Sequence, residues 1–534
     1  ADLAFRLTYR YGVNELSFDI RQLMLSIQPI FQLSLILFLP GYAVVRVFRL
    51  NRKFSSPEQL GISVGLSLAI IPIIFLFSST LGMRISSSTI KDLGIAFFAL
   101  ILSMILLDHP PQTWSRIGKR PRQVRINTSR RRSFLEFWAL VGILGFAFIV
   151  RMIMIGDLAT SAWVDSVHHG LITRIILNNG SLPETYLPYL DISTSAYHPG
   201  FHSSLVAFLE LSDMDISSGM LLFGQALNAA IILSVYLLGV ALTRKPTSGL
   251  IAALLTSTYS AMPAYYTSWG RYPQLAGLII LPVTFSLLIA SNQAVTKRER
   301  ISFLLCASLA FAGLLLVHYR VAAFLLCLFV AWLLSELTSS GQHAWRIVRR
   351  YLLDLLVLGA LSFLLSAPWM IKTLQETILP RMTPGHPQAT LNFFSDFSWH
   401  YLVPVFGKQL MALTAISLVW FFLKKGRISW VISCWIIFLF FLANLDALNL
   451  PGGSFVNNSS VAIMLFMPFS VMSGHLIDQL FTLWRQILKG INRVLLAIVT
   501  TSALLYFAWL GSRQIISILN PTTLLTRQAD LIAL

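Results

Sequence analysis

Residues 151–215 read RMIMIGDLATSAWVDSVHHGLITRIILNNGSLPETYLPYLDISTSAYHPGFHSSLVAFLELSDMD. This polar interval lies between apolar runs at 135–150 and 217–243, and its reading decides the rest. Within it, Leu171, Ile172, Ile175 and Ile176 recur at roughly helical spacing, and Asn178-Asn179-Gly180 supplies a stop. The expectation is a helix over 164–179 lying in the membrane interface rather than crossing the bilayer. Asp165, His168 and His169 then stand at i, i+3 and i+4, near one face. A second turn follows at Tyr197-His198-Pro199-Gly200-Phe201-His202. Pro199 can start a helix, which brings His198 and His202 near one side.

Outward from this interval the chain is strongly apolar. Its 534 residues are 56% hydrophobic and 12% charged, with a mean hydropathy of +0.72. A soluble chain carries roughly 25% charged residues, so a soluble enzyme is excluded, as are a disordered chain and a disulfide scaffold. About fourteen segments, from 23–45 to 494–511, are apolar enough to cross a membrane. The segments at 93–107, 321–335 and 409–423 are short and read as half-helices or re-entrant pieces. The fold class is an all-α polytopic membrane protein. Cys306, Cys327 and Cys434 lie inside apolar runs, without metal or redox spacing, and read as small core residues.

The formal net charge is +18, yet its placement argues against a nucleic-acid partner. The basic residues sit between apolar segments, as juxtamembrane loops do. With the amino terminus outside, the inner loops hold Arg46, Arg49, Arg52, Lys53, the acid-free run from Arg116 to Arg132, and further groups such as Arg298, Arg300, Lys424 and Arg427. Most histidines fall on the other side: His168, His169, His198, His202, His318, His386 and His400, against His109, His343 and His475 inside. The functional surface is therefore expected to be extracytoplasmic, in a multi-pass protein of the inner (plasma) membrane. Three regions are expected. Residues 1–134 hold the first membrane helices and a basic cytoplasmic loop. Residues 135–371 form a core with the outer loop 151–216. Residues 372–534 hold a second outer loop and the last membrane helices, and the apolar restart at Leu531 leaves room for a further domain beyond.

Asp165 has two readings: a solvated loop acid or helix N-cap, or a general base that takes a proton from a hydroxyl nucleophile. Asp157 competes for the second role. Asp165, His169 and His198 could hold a divalent metal such as Mg, Mn or Ca, or the histidines could be hydrogen-bonded structural groups or substrate contacts. Trp269-Gly270-Arg271-Tyr272-Pro273-Gln274 and His318-Tyr319-Arg320 mark two outer turns. Arg271 and Arg320 either snorkel to the interface or clamp a phosphate, for which arginine offers a planar fork of donors. Tyr272 and the neighbouring aromatics could face a sugar or belong to an interfacial belt. Lys372 and Arg381 are further candidate anion contacts. Asp354, Glu336 and Asp478 read as structural, and Asn457-Asn458-Ser459-Ser460 as loop only.

The outer interval resembles the GT-C superfamily of membrane glycosyltransferases, which use lipid-phosphate-linked sugars. The matching parts are Phe148-Ile149-Val150-Arg151, Asp165, the helix ending from Ile175 to Pro183, and Tyr197-His198-Pro199 before the helix that starts near Phe201. The strongest likeness spans about 145–210. It implies a GT-C-like transmembrane bundle with outer interfacial loop helices, a polyprenyl-phosphate sugar donor, and an extracytoplasmic glycan, lipid or protein acceptor, among membrane lipids and without nucleic acid. It also implies a catalytic acid at Asp165. The family often has two adjacent acids there, whereas Ser166 follows Asp165 here, so a metal role for the second acid has no direct match. Leu39-Pro40-Gly41-Tyr42 resembles less-characterised bacterial members and would place three extra helices before the usual first one. Two rival functions remain. One is a non-catalytic membrane subunit or scaffold of an envelope assembly. The other is a lipid or solute transporter, which the missing internal repeat and the terminal placement of ionisable groups disfavour.

Overall fold

The computed structural model describes residues 20–108, 128–194, 197–339, 344–382, 397–448, 450 and 455–524. Among these residues the regular structure is helical. The long helices are α1 (Ile20–Val47), α2 (Ser56–Thr80), α3 (Ser87–Asp108) and α4 (Thr128–Met154). The outer interval folds as α5 (Trp163–Asn179) and α6 (Gly200–Ser212). Next come α7 (Ile216–Thr243), α8 (Pro246–Thr258), α9 (Tyr272–Asn292), α10 (Lys297–Ser339) and α11 (Ala344–Thr373). The last four are α12 (Gly407–Leu423), α13 (Arg427–Ala443), α14 (Phe466–Ile487) and α15 (Ile491–Ile516). Ten helical spans among the described residues are long and apolar enough to cross a membrane, and α12 and α13 are shorter apolar helices. The interfacial helix expected over 164–179 is present as α5, ending at Gly180.

The segment expected at 93–107 is not a half-helix but the core of the 22-residue α3. The two expected segments at 301–318 and 321–335 lie on α10, which is broken at His318, where φ −166° and ψ 91° are extended rather than helical. The break is a reversal. Arg300, ahead of it, is paired with Asp354, while Trp332, beyond it, donates from Nε1 to Tyr351 Oη at 3.2 Å. A straight helix would hold Arg300 and Trp332 about 48 Å apart at 1.5 Å per residue, yet their partners lie within one turn of α11. The two arms therefore run back along each other and place His318 at the opposite end of the bundle from both pairs.

The expected segment at 248–264 is cut short instead. Helix α8 stops after 13 residues, about 20 Å of rise, and so cannot span the bilayer alone. Its end is met by Arg151, a fully buried residue of α4. Arg151 Nη1 donates to Ser257 O at 2.9 Å and Nε to Asn228 Oδ1 at 3.0 Å, while Asn228 Nδ2 donates to Pro263 O at 2.8 Å. A cation on the last carbonyls of a helix satisfies acceptors that have no helical partner and opposes the negative end of the dipole.

Helix α9 is buried along its length, with α10 and α7 packed against it. By contrast α3 and α15 present mostly exposed apolar side chains, such as Ile95, Phe98, Ile498 and Val499, as lipid-facing helices do. The end of the bundle away from His318 is tied by ion pairs: Arg46–Asp108 at 2.9 Å, Arg300–Asp354, and Arg427–Glu336 at 2.6 Å. Asp478 meets Lys245 at 3.5 Å. Asp354, Glu336 and Asp478 thus hold helix ends together, as the sequence suggests.

Candidate active site

The His318 end contains a cavity of about 200 Å³. Helix α5 contributes Asp165 and His169 to it. The segment before α6 contributes Tyr197 and His198, the turn into α9 contributes Arg271 and Gln274, and the reversal of α10 contributes His318, Tyr319 and Arg320. These residues are separated by up to about 150 positions in sequence, and each is brought in by a local feature. Asp165 and His169 are four apart on one helix, so they share a face. His318 and Arg320 are presented because α10 breaks between them and its first arm. Gly200 lets α6 begin against that arm: a Cβ there would stand 2.5 Å from Val317 Cγ2 and 2.8 Å from Leu316 O.

Asp165 lies in the first turn of α5, whose N-cap is Ala162, so the capping reading of Asp165 does not hold. Its carboxylate sits at the positive end of the helix dipole. The adjoining Trp163 has φ 69°, a conformation that costs a bulky residue on the order of 1–3 kcal/mol. Partial burial raises the Asp165 pKa above its ordinary 3.8, while the Arg271 and His168 charges pull it back. Burial, with the Asp165 charge, pushes Tyr197 up to about 12.

The histidines form two connected pairs. His169 Nδ1 and His202 Nε2 are 3.0 Å apart, and His202 Nδ1 lies 3.0 Å from the carbonyl of His198. The His198 ring stacks on His318 with centroids 4.6 Å apart and planes 12° from parallel. Burial, reinforced by His202, holds His169 well below its ordinary value, and burial with His318 and Arg320 does the same for His198. His202 is pushed down to about 4 by burial, opposed by its bond to the His198 backbone. These rings are neutral at pH 7 and can donate or accept. Three nitrogens on the cavity wall, His198 Nε2, His318 Nδ1 and Arg320 Nε, are buried and have no partner among the described residues. Unpaired buried polar atoms are costly, and these mark where a ligand's hydrogen-bonding atoms would be satisfied.

Of the residues singled out by sequence, Asp165, His169, His198, Arg271, His318 and Arg320 meet at the cavity. His168 does not: it is exposed, turned about 100° around α5 from His169. His202 stands behind His169, fully buried. Tyr272 is also fully buried, stacked on Phe201 at 5.8 Å, so it packs in the core rather than lining the cavity. Asp157 is half-buried and outside the cavity lining. Lys372 faces a second cavity and donates to Thr194 Oγ1 at 2.9 Å. The Arg381 side chain, His386, His109, His343 and most of the Arg116–Arg132 run lie outside the described residues.

The expected ligand set of Asp165, His169 and His198 does not fit a metal ion. His169 has one ring nitrogen committed to His202, and the ring also meets the Gly270 backbone. Among the described residues no group of three or more His, Cys, Asp or Glu could hold a metal.

Asn457 and Ser460, which read as loop only in the sequence, line the cavity together with Tyr197, Gln274 and Tyr319. Asn457 Oδ1 accepts from Ser460 N at 2.8 Å, and Gln274 Nε2 donates to Ser460 O at 3.0 Å. A reciprocal amide pair between Asn444 and Asn458, at 2.8 and 3.0 Å, pins this segment. The available signal was four consecutive polar residues beside a long apolar helix.

No curated protein matches the chain. Among solved structures, ArnT from Cupriavidus metallidurans in the apo state is similar, with a TM-score of 0.50 and 13% identity over 72% of this chain and 77% of that one. The same protein bound to undecaprenyl phosphate aligns with a TM-score of 0.44 and 13% identity, covering 63% of this chain and 60% of that one. The archaeal oligosaccharyltransferase AglB from Archaeoglobus fulgidus, in complex with an inhibitory peptide and a dolichol-phosphate, aligns with a TM-score of 0.47 and 14% identity. That alignment covers 72% of this chain and 56% of AglB, so the chain spans about half of that enzyme's length. The likeness to apo ArnT shows the fold, a GT-C membrane bundle. Residues 34–456 match the model of a family described as a family of unknown function, DUF6541, and with most of its length inside that match the chain belongs to this family and carries the GT-C fold.

Proposed function

We propose that the protein transfers a sugar from a polyprenyl-phosphate-linked donor to an extracytoplasmic acceptor. The observation that carries this reading is the single cavity holding Asp165, Arg271 and Arg320 beside the unpartnered nitrogens of His198, His318 and Arg320. A carboxylate of raised proton affinity and a group of anion-binding donors are the two things such a transfer needs. The sided distribution of basic residues supports an extracytoplasmic cavity.

The donor phosphate sits against Arg320 and Arg271, with the His198 and His318 nitrogens supplying further hydrogen bonds. The Asp165 carboxylate takes the proton of the acceptor hydroxyl. The hydroxyl oxygen forms a bond to the anomeric carbon as the bond from that carbon to the phosphate oxygen breaks. Polyprenyl phosphate leaves with the electron pair, and its charge is neutralised by the guanidinium groups. Single displacement inverts the anomeric carbon. No step requires a strong acid, because phosphate is a good leaving group.

The test is turnover of a panel of polyprenyl-phosphate sugars by the purified protein in lipid, with Asp165→Asn in parallel. Sugar transfer or donor hydrolysis is expected for the native chain and is lost in the variant. An Asp165→Asn protein that folds normally and keeps full turnover removes Asp165 as the base. Failure of every polyprenyl-phosphate species to bind removes the donor assignment.

A further inference from the structure

A second cavity, of about 1030 Å³, adjoins the first. It lies between the end of α2, the end of α5 with the loop after it, and the end of α11. Trp369 is the shared wall. It lines the second cavity, and its ring stands 6.3 Å from His198 and 6.4 Å from Tyr319, both of which line the first. We infer that this second cavity is the acceptor subsite and takes a neutral carbohydrate chain; the inference rests on the glycosyl-transfer reading above.

The volume lies just above the usual range of small-molecule pockets, about 300–1,000 Å³, which leaves room for more than a single sugar ring. The lining is mixed in character. Leu76, Ile175 and Leu182 give apolar surface, and the exposed Asn178 and Asn179 give side-chain amides. Those amides make no hydrogen bond with other described residues, and each offers two donors and an acceptor oxygen. Trp369 is 7% exposed, and its Nε1 is buried without a partner. A buried indole N–H normally finds one. A flat apolar ring with one donor, in a cavity that also carries free amides, matches a sugar, which presents a C–H face and a rim of hydroxyls.

The second cavity does not suit the donor phosphate. Of its two cations, Arg84 is exposed to solvent, and Lys372 is already engaged: Nζ donates to Thr194 Oγ1 at 2.9 Å and to Glu184 O at 3.4 Å. These bonds, with Leu182 N donating to Ser79 Oγ at 2.8 Å, fasten the loop after α5 over the cavity as its rim. The buried cationic nitrogen without a partner among the described residues lies on the other side of Trp369, at Arg320. Donor phosphate and acceptor glycan would thus approach from opposite sides of one aromatic layer.

The experiment uses the full chain in lipid nanodiscs and isothermal titration with mannotetraose, chitotetraose, a neutral hexapeptide and undecaprenyl phosphate. The variants are Asn179→Leu, on an exposed position, and Trp369→Phe, which keeps a ring but removes the N–H. One tetrasaccharide is expected to bind and to weaken at least about tenfold in each variant, with undecaprenyl phosphate affinity unchanged in Asn179→Leu. Binding of neither tetrasaccharide, affinity unaltered in both variants, or binding of the peptide in their place overturns the inference. If undecaprenyl phosphate fails to bind while a tetrasaccharide binds and responds to Asn179→Leu, the donor reading fails and the glycan site stands.

Discussion

His169 Nδ1 lies 3.0 Å from His202 Nε2, and neither side chain is more than 1% exposed. One nitrogen must carry a proton and the other must accept it, so protonating both rings would set two donors against each other. His202 titrates at about 4 in the folded chain against 6.5 when exposed, and His169 is also shifted down. Between these values the unfolded chain binds more protons than the folded one, so stability falls as pH drops from about 6.5 to about 4 and is constant above. The loss from His202 alone is on the order of 3 kcal/mol at the lower limit. Thermal melts across this range should show the decline, and His202→Gln should lessen it by the His202 share while the shifts of His169 and His198 remain; a native Tm that does not change from pH 7 to pH 4 contradicts the shift.

Asp165 should set the acidic limb of the transfer reaction. Its raised pKa places the loss of the carboxylate above the ordinary 3.8 as pH falls. Arg271 pulls that pKa down, so Arg271→Ala should move the limb to higher pH as well as weaken donor binding. Asp165→Asn should cost about 10²–10⁴ in turnover, the usual range for a general base. A pH–rate profile that is unmoved in Arg271→Ala argues against this electrostatic link.

Gly41 sets the spacing of the first two helices. Its N–H donates to Ser67 Oγ at 2.8 Å, and a Cβ would stand 1.9 Å from the Ser63 carbonyl oxygen. Since the obstructing atom is backbone, Gly41→Ala should force α1 off α2 and cost about 1–3 kcal/mol. A lowered Tm with unchanged undecaprenyl phosphate affinity is expected, because the contact is far from the cavity. Equal Tm values for the two proteins would show that the helices separate without cost.

Replacing Arg151 tests whether the short α8 depends on its cation. Arg151→Met removes the donors to Ser257 O and Asn228 Oδ1 and should cost about 2–4 kcal/mol from the acceptors left unsatisfied. Arg151→Lys should fall between, since one ammonium cannot reproduce a forked guanidinium. Melting of the three proteins in one detergent gives the order, and a Met variant as stable as the native chain would refute the capping role.

Much of this architecture is legible in the sequence because the bilayer permits few solutions. Runs such as 60–83 and 275–292 can only be buried helices, and 164–179 is periodic enough to place Asp165 and His169 together. Asp165, His198, Arg271 and Arg320, which line one cavity, are legible because cations, acids and histidines stand out in an apolar chain. His168 was misjudged because positions three and four along a helix are near one another without sharing one direction. Tyr272 was misjudged because interfacial and core aromatics have the same sequence neighbourhood. The reversal at His318 is legible where His318-Tyr319-Arg320 interrupts the apolar run between 301–318 and 321–335, although neither Gly nor Pro stands at the break. Asn457, Ser460 and Trp369 were missed because their role comes from contacts over long sequence distances, which periodicity does not record.

The bonds of Arg151 also bear on how the chain is made. Its acceptors lie 77 and 106 residues further along. At about 5–20 residues per second of synthesis, α4 emerges roughly 5–20 s before α8 exists. For the first 77 residues of that interval the guanidinium has neither partner, and at the centre of a helix it would oppose insertion by about 2.5–3.5 kcal/mol. Its position one turn from the end of α4 lets the side chain reach the headgroups while it waits. The full burial of Arg151 is thus supported only once both α7 and α8 are present to supply Asn228 and Ser257.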